Sequence, residues 1–142
     1  MAGRQEVFQQ EMNLGHSDAW DQKWDKAAEH YRLASDEFPD HPQALTHLGL
    51  ALIELQDYPA ALRCYEKAAR LTTSDPLPLE KIAQLYERQG NLDRAAIASL
   101  RAADLYLNAR DIQKAIHNWE RVIRLNPANL QARSRLAIVY ER

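Results

Sequence analysis

A single cysteine, Cys64, stands among the 142 residues. No disulfide within the chain and no cysteine metal cage can therefore form, which suits a reducing compartment. Glycine is scarce at 4 and proline at 6, β-branched residues are sparse, and Ala and Leu dominate the apolar set. That composition disfavours strand-rich and low-complexity folds and predicts an all-α chain. No apolar run approaches the roughly 18 to 20 residues that a membrane span needs. The opening MAGRQEVFQQE lacks the apolar stretch of a signal peptide. A soluble, cytoplasmic protein is expected. Neither charge sign prevails, with 18 basic against 20 acidic residues and a net charge of -2. That balance argues against a general nucleic-acid or membrane binder. The two ends differ, however: residues 110–142 hold seven basic and three acidic residues, net +4, and the remainder eleven and seventeen, net -6. The basic final quarter reads as solvated helix faces, with a docking surface as the alternative.

Chemistry is also missing. His16, His30, His41, His47 and His117 are scattered, and none pairs with Cys, Asp or another His at a spacing typical of a metal site. There is no Gly-rich phosphate loop, no Gly-x-Ser-x-Gly elbow and no paired-carboxylate signature. Cys64 reads as a surface or half-buried thiol, not a reactive one. No catalytic residue, cofactor or metal is expected, and the chain does not read as an enzyme.

What is present is a repeat of 34 residues. A shift of that length superimposes Gly15, Gly49 and Ala83, then Ala27, Ala61 and Ala95, then Ala34, Ala68 and Ala102. It also aligns the large residues Leu14, Leu48 and Ile82, then Trp24, Tyr58 and Leu92, then Tyr31 and Tyr65. Between Pro42 and Asp75, Leu45, Leu48, Leu52 and Leu55 recur at helical spacing, and Leu62, Tyr65 and Ala69 do so again. Each repeat is thus a pair of antiparallel helices. Asp57, Asn91 and Asp111 are N-caps of second helices, Asp75-Pro76 opens another helix, and Gly90 marks a turn. Small residues at Gly49, Ala61 and Ala68 let backbones approach closely. Ser99 takes a place held elsewhere by Tyr31 and Tyr65 and reads as a packing concession, while Trp24 and Trp119 occupy repeated core places. One hairpin cannot bury its apolar face alone, so stacked hairpins and an α-solenoid follow.

The order large-small Leu48-Gly49, aromatic Tyr58, small Ala61, aromatic Tyr65 and small Ala68 resembles the tetratricopeptide repeat, TPR. A further copy runs through Ile82-Ala83, Tyr86, Gly90, Ala95 and Ala102, and WDKAAEHYRLASDEFPDHP supplies the second half of an earlier one. The resemblance implies an all-α solenoid of helix hairpins in a right-handed superhelix. It also implies that inward polar positions of the first helices contact a peptide or helix of a partner protein in a concave groove. On the matching places those residues are Met12, His16 and Trp20 in the first repeat, Gln43, His47, Leu50 and Glu54 in the second, and Lys81, Gln84 and Arg88 in the third. Trp20 stands out, because an aromatic away from the packing stripe is typical of binding hot spots. A clamp for chaperone C-terminal carboxylates, found in some family members, is not matched: Met12, His16, His47 and Leu77 occupy four of its places and only Lys81 fits.

Two irregularities break the pattern. Ala95 precedes Ala115 by 20 residues, not 34, so one helix is added without a partner of its own. The segment from about Asp93 to Ala109 is expected to close the third hairpin and imitate the first helix of a fourth. The array is then residues 8–41, with an irregular first helix in which Asp18 replaces Leu52 or Tyr86, followed by 42–75 and 76–109. An extra helix at 110–127 and the first helix of a further repeat at 128–142 complete it. This last helix, with Leu136-Ala137 and Tyr140 in diagnostic places, stops where its turn should begin. Further repeats, or self-association through its exposed face, are expected. The chain therefore reads as a non-catalytic scaffold for a protein or peptide partner. Homo-oligomeric stacking through terminal faces is an alternative, and nucleic-acid binding by the Arg-rich final quarter is a third reading that the overall charge opposes.

Overall fold

The computed structural model describes residues 2–141, so Arg142, the last residue of the expected further repeat, lies outside the described residues. Every regular element among them is a helix, as the composition requires. The chain forms two compact units that meet in sequence between Thr72 and Thr73. The first holds α1 (Ala2–Trp20), α2 (Trp24–Glu37), α3 (Pro42–Glu54) and α4 (Tyr58–Leu71), each packed on its predecessor. The second holds α5 (Leu77–Arg88), α6 (Leu92–Asn108), α7 (Ile112–Leu125) and α8 (Leu130–Tyr140), again packed in sequence. No described helix is long and apolar enough to cross a membrane.

The turns are of two kinds. After α1, α3, α5 and α6 the chain reverses through three residues, one of which has a left-handed backbone: Gln22 (φ 61°), Gln56 (φ 64°), Gly90 (φ 81°) and Arg110 (φ 64°). At Gln56 the N–H donates to the Ile53 carbonyl at 2.9 Å, and the following Asp57 N–H reaches back to Leu52 at 2.9 Å. The other three turns repeat this pair of bonds, the Schellman arrangement that satisfies the last carbonyls of a helix. After α2, α4 and α7 the chain instead leaves through an extended residue, Phe38 (ψ 83°), Thr72 (ψ 83°) or Asn126 (ψ 90°). The left-handed residues follow one another by 34, 34 and then 20 places. Consequently α6, unlike α2 and α4, has a reversing turn at both ends.

Capping follows the sequence closely. Asp57, Asn91 and Asp111 accept from the N–H groups of Ala60, Arg94 and Lys114, and Asn129 accepts from Ala132. At α5 the helix begins one residue later than the Asp75-Pro76 pattern implies. Pro76 is the flanking residue, and the Asp75 carboxylate takes the Leu77 N–H at 3.0 Å.

Within each hairpin the small and aromatic places of the second helix form the core. Ala27, Ala61, Ala95 and Ala115 are fully buried, as are Ala34, Ala68, Ala102 and Val122. Between them lie Tyr31, Tyr65, Ser99 and Trp119, all buried. The backbone of the first helix presses on the aromatic ring. A Cβ at Gly15 would stand 2.6 Å from Tyr31 Cε1, and one at Gly49 would stand 2.7 Å from Tyr65 Cε2. The third hairpin has Ala83 in place of the glycine, and Ser99 in place of the tyrosine. The two changes belong together, because the methyl and the ring compete for one volume.

Unit 1 departs from its own repeat along α1. Leu14 aligns with the buried Leu48 and Ile82 but is 41% exposed: among the described residues α1 has no helix before it, whereas α3 packs on both α2 and α4. Phe8, Met12 and Gly15 form its buried stripe instead. Two core leucines of α3, Leu45 and Leu52, are replaced 34 residues earlier by Glu11 and Asp18. The residue corresponding to Cys64 is His30. These replacements satisfy one another: His30 Nδ1 lies 2.6 Å from Glu11 Oε2, and Nε2 lies 3.4 Å from Asp18 Oδ2. Two leucines and a cysteine of the next repeat are thus matched here by a polar group with His30 at its centre.

In unit 2, Ala103, Tyr106, Ala115, Trp119, Val122 and Leu136 share one buried cluster. Leu136, expected at the open face of α8, is thus covered by α6 and α7, whereas Tyr140 is 63% exposed with its hydroxyl on Glu120 at 2.9 Å. Glu80 of α5 accepts from the Tyr106 hydroxyl and from Asn118 Nδ2, the latter at 3.2 Å, and so joins three helices. Arg124 forks onto Glu87 at 3.0 and 3.3 Å, and this hydrogen bonding holds the Glu87 carboxyl below its usual range.

The ring-on-backbone contact is testable by a double-mutant cycle. Gly49→Ala in the native background is expected to cost about 1–3 kcal/mol in urea unfolding, as an overpacked core does. In a Tyr65→Ser background the same change should be neutral or stabilising by up to roughly 1 kcal/mol, the helix-propensity gain of Ala over Gly. Equal costs in both backgrounds would refute the contact.

Candidate functional site

Tyr31 is held from below by the bare Cα of Gly15 and is only 2% exposed. Its ring stacks on His47 of α3, centroids 5.3 Å apart and 23° from parallel, and meets His16 of α1 edge-on at 5.4 Å. The two imidazoles are themselves 4.7 Å apart. Tyr31 Oη lies 2.8 Å from His16 Nδ1. Burial, and then the Asp18 carboxylate, push the Tyr31 hydroxyl above its ordinary pKa, so it keeps its proton. A neutral His16 accepting at Nδ1 carries its own proton on Nε2 and can donate there.

Around this trio is a cavity of about 250 Å³ lined by His16, Ala19, Trp20, Trp24, Tyr31, His47 and Leu50. Helical spacing explains its walls. His16, Ala19 and Trp20 are successive same-face residues of α1, Trp24 and Tyr31 lie two turns apart on α2, and His47 and Leu50 one turn apart on α3. Trp20 is 88% exposed at the rim and Leu50 38% exposed opposite it. The pocket therefore combines an apolar, aromatic interior with imidazole groups that can hydrogen-bond, the composition of a site for an apolar side chain and its backbone. Among the described residues no group of three or more His, Cys, Asp or Glu could hold a metal ion.

Four of the sequence-predicted residues, His16, Trp20, His47 and Leu50, meet around this one cavity. Met12 does not offer accessible surface; it is 4% exposed and packs into the hairpin core. Gln43 and Glu54 are exposed on α3 but outside the lining, and Lys81, Gln84 and Arg88 belong to α5 of the other unit. Trp24 and Tyr31, read from the repeat as core, are in fact walls of the pocket. The clue available in the sequence was that His16 and Leu50 stand 34 residues apart, at one repeat place, so both face one side. Cys64 is half-buried and burial raises its thiol pKa, which leaves it protonated and unreactive.

Residues 49–90 match the family described as TPR repeat, and residues 100–142 match the one described as tetratricopeptide repeat. The chain belongs to the tetratricopeptide repeat family. A curated relative in Schizosaccharomyces pombe, Superkiller protein 3, is 25% identical over 125 residues, covering 73% of this chain. The chain spans only 9% of that curated relative's length. Among solved structures, the Yersinia enterocolitica type III secretion chaperone SycD in complex with a peptide of the translocator YopD has a TM-score of 0.76 at 15% identity, with 84% of this chain and 92% of that one covered. PcrH of Pseudomonas aeruginosa, in complex with the chaperone binding region of PopD, has a TM-score of 0.77 at 19% identity, covering 87% and 93%. At these identities the likeness shows the shared TPR fold.

The imidazole pair makes this TPR unit sensitive to pH. Burial, and then the neighbouring His16, hold the His47 pKa below its ordinary 6.5. As pH falls through about 6.5 the unfolded chain takes up a proton at His47 before the folded chain does, so the contribution of His47 to stability is constant just above that pH and declines below it. In urea unfolding from pH 8 to pH 5, His47→Gln should gain stability relative to the native protein as the pH drops. A difference that stays constant across the range would contradict this.

Proposed function

We propose that the chain is a non-catalytic scaffold that captures a segment of a partner protein, and that the His16, Trp20, Trp24, Tyr31, His47 and Leu50 pocket is the anchor point. The observation that carries this reading is Trp20, a large aromatic left 88% exposed beside a preformed aromatic cavity. Exposed tryptophans at pocket rims are the residues that dominate binding energy when covered. An apolar side chain of the partner fills the cavity, Trp20 and Leu50 close over it, and imidazole N–H groups donate to the partner's backbone carbonyls. Gln43 and Glu54 on α3 extend the same helix face with polar contacts. On the other unit, Lys81, Gln84 and Arg88 of α5 offer a polar strip of their own to a partner segment.

The similar solved structures, SycD with a peptide of the translocator YopD and PcrH with the chaperone binding region of PopD, support a peptide-binding role for the TPR fold. The hydroxyl that stands beside an imidazole in this pocket, that of Tyr31, is buried and keeps its proton, which agrees with a scaffold role. We further propose that α6 closes one repeat and opens the next; its two reversing turns favour that reading.

Peptides selected from a random phage-displayed library on the native chain provide the test. Their affinity, measured by calorimetry, should fall roughly tenfold to a hundredfold in Trp20→Ala, the range of a hot-spot aromatic. Trp20 makes no buried contact, so the variant should unfold at the same urea concentration. Unchanged affinity in Trp20→Ala would remove the pocket from the account.

A further inference from the structure

Unit 2 carries a second and larger apolar groove, of about 420 Å³, on a surface with no part in the pocket described above. Leu107 at the end of α6, Ile112 and Trp119 of α7, and Ile138 and Val139 of α8 line it, together with one cation, Arg135. Ile112 and Ile138 are 40% and 55% exposed. Its volume is in the range of ligand and peptide sites. Two polar groups at the groove lack a partner among the described residues. The Trp119 indole N–H is buried without an acceptor, and Arg135 makes none of the ion pairs. Of the other cations in this stretch, Lys114 faces Asp111, Arg124 faces Glu87 and Arg133 donates to the Pro127 carbonyl, while Arg121 keeps a buried Nη1 without a partner among the described residues. Arg135 is the one charged residue of the lining, and along the stretch from 110 to 141 basic residues outnumber acidic ones six to three.

We propose that this groove docks an acidic amphipathic helix of a partner protein, with two apolar side chains along the Leu107–Ile138 floor and a carboxylate on Arg135. A helix laid in a groove is read through apolar residues at i, i+3, i+4 and i+7, and flanking charges set its partner. The sign of the rim selects the occupant. A second copy related by a two-fold axis would place Arg135 and its like-charged surroundings against themselves, which costs binding energy. An acidic segment gains from the same field and is steered by it.

The probe is a fluorescent synthetic helix of about four turns, with leucines at the four spaced positions and glutamates flanking them, beside a twin in which each glutamate is lysine. The glutamate helix is expected to bind the native chain, with affinity falling as salt rises. Arg135→Glu should weaken it roughly tenfold and strengthen the lysine helix by a similar factor, the signature of a like-charge penalty exchanged for an attraction. Ile138→Asp should weaken both, and Trp20→Ala neither, which separates this groove from the pocket of unit 1. Circular dichroism and urea unfolding confirm that the variants fold. Equal binding of the two helices, no binding of either, or indifference to Arg135→Glu overturns the proposal. So does sedimentation showing that the native chain self-associates and that Ile138→Asp abolishes it, which would assign the groove to a second copy.

Discussion

The first and second helices of a repeat approach until the backbone of one touches the ring of the other, and most of this molecule follows from that contact. At Gly15 and Gly49 there is no room for a methyl group, since a Cβ would fall within 2.7 Å of a tyrosine ring atom at each. The glycine is therefore needed for space and not for backbone freedom, because both lie inside helices. Contact on this scale restricts the ring, since interiors packed at crystal density leave a side chain few alternatives. Where the glycine becomes Ala83 the ring has gone, and Ser99 lies in its place with a buried hydroxyl that has no partner among the described residues.

The same contact builds the candidate site. Tyr31, pinned by Gly15, presents its hydroxyl to His16 and its face to His47, so two imidazoles from different helices meet over one ring. Trp20 then stands at the end of α1, where the three-residue turn through Gln22 leaves it facing solvent. The pocket is thus made from packing residues at its floor and unpacked ones at its rim. The floor is shared with the fold, and the rim is left to the exposed side chains of Trp20 and Leu50.

Much of the architecture could be read from spacing. The 34-residue recurrence of Ala27, Ala61 and Ala95 located the second helices, and Asp57, Asn91 and Asp111 located their starts, because small buried residues and N-caps are local requirements. The left-handed turns were legible only at Gly90, since glutamine and arginine carry no such mark at Gln22, Gln56 and Arg110. What escaped the sequence was tertiary. Leu14 fits the pattern yet is exposed, because the pattern says which face a residue occupies and not whether a helix covers it. Glu11, Asp18 and His30 looked like three unrelated polar residues, and only packing shows them as one satisfied group. Met12 and Trp24 exchanged expected roles for a similar reason. Met12 lies on the buried stripe of the irregular α1, and Trp24 follows a turn that leaves it half-buried beside Trp20.

Three tryptophans happen to report on the whole account, with Trp20 and Trp24 at the pocket of unit 1 and Trp119 in the core of unit 2. The indole N–H resonances of the 15N-labelled chain, followed while a library-selected peptide is added, read all three at once. Docking at the pocket predicts that the Trp20 and Trp24 signals move together along one saturable curve while Trp119 stays fixed. Movement of Trp119 alone, or of none of the three at saturating peptide, would contradict it.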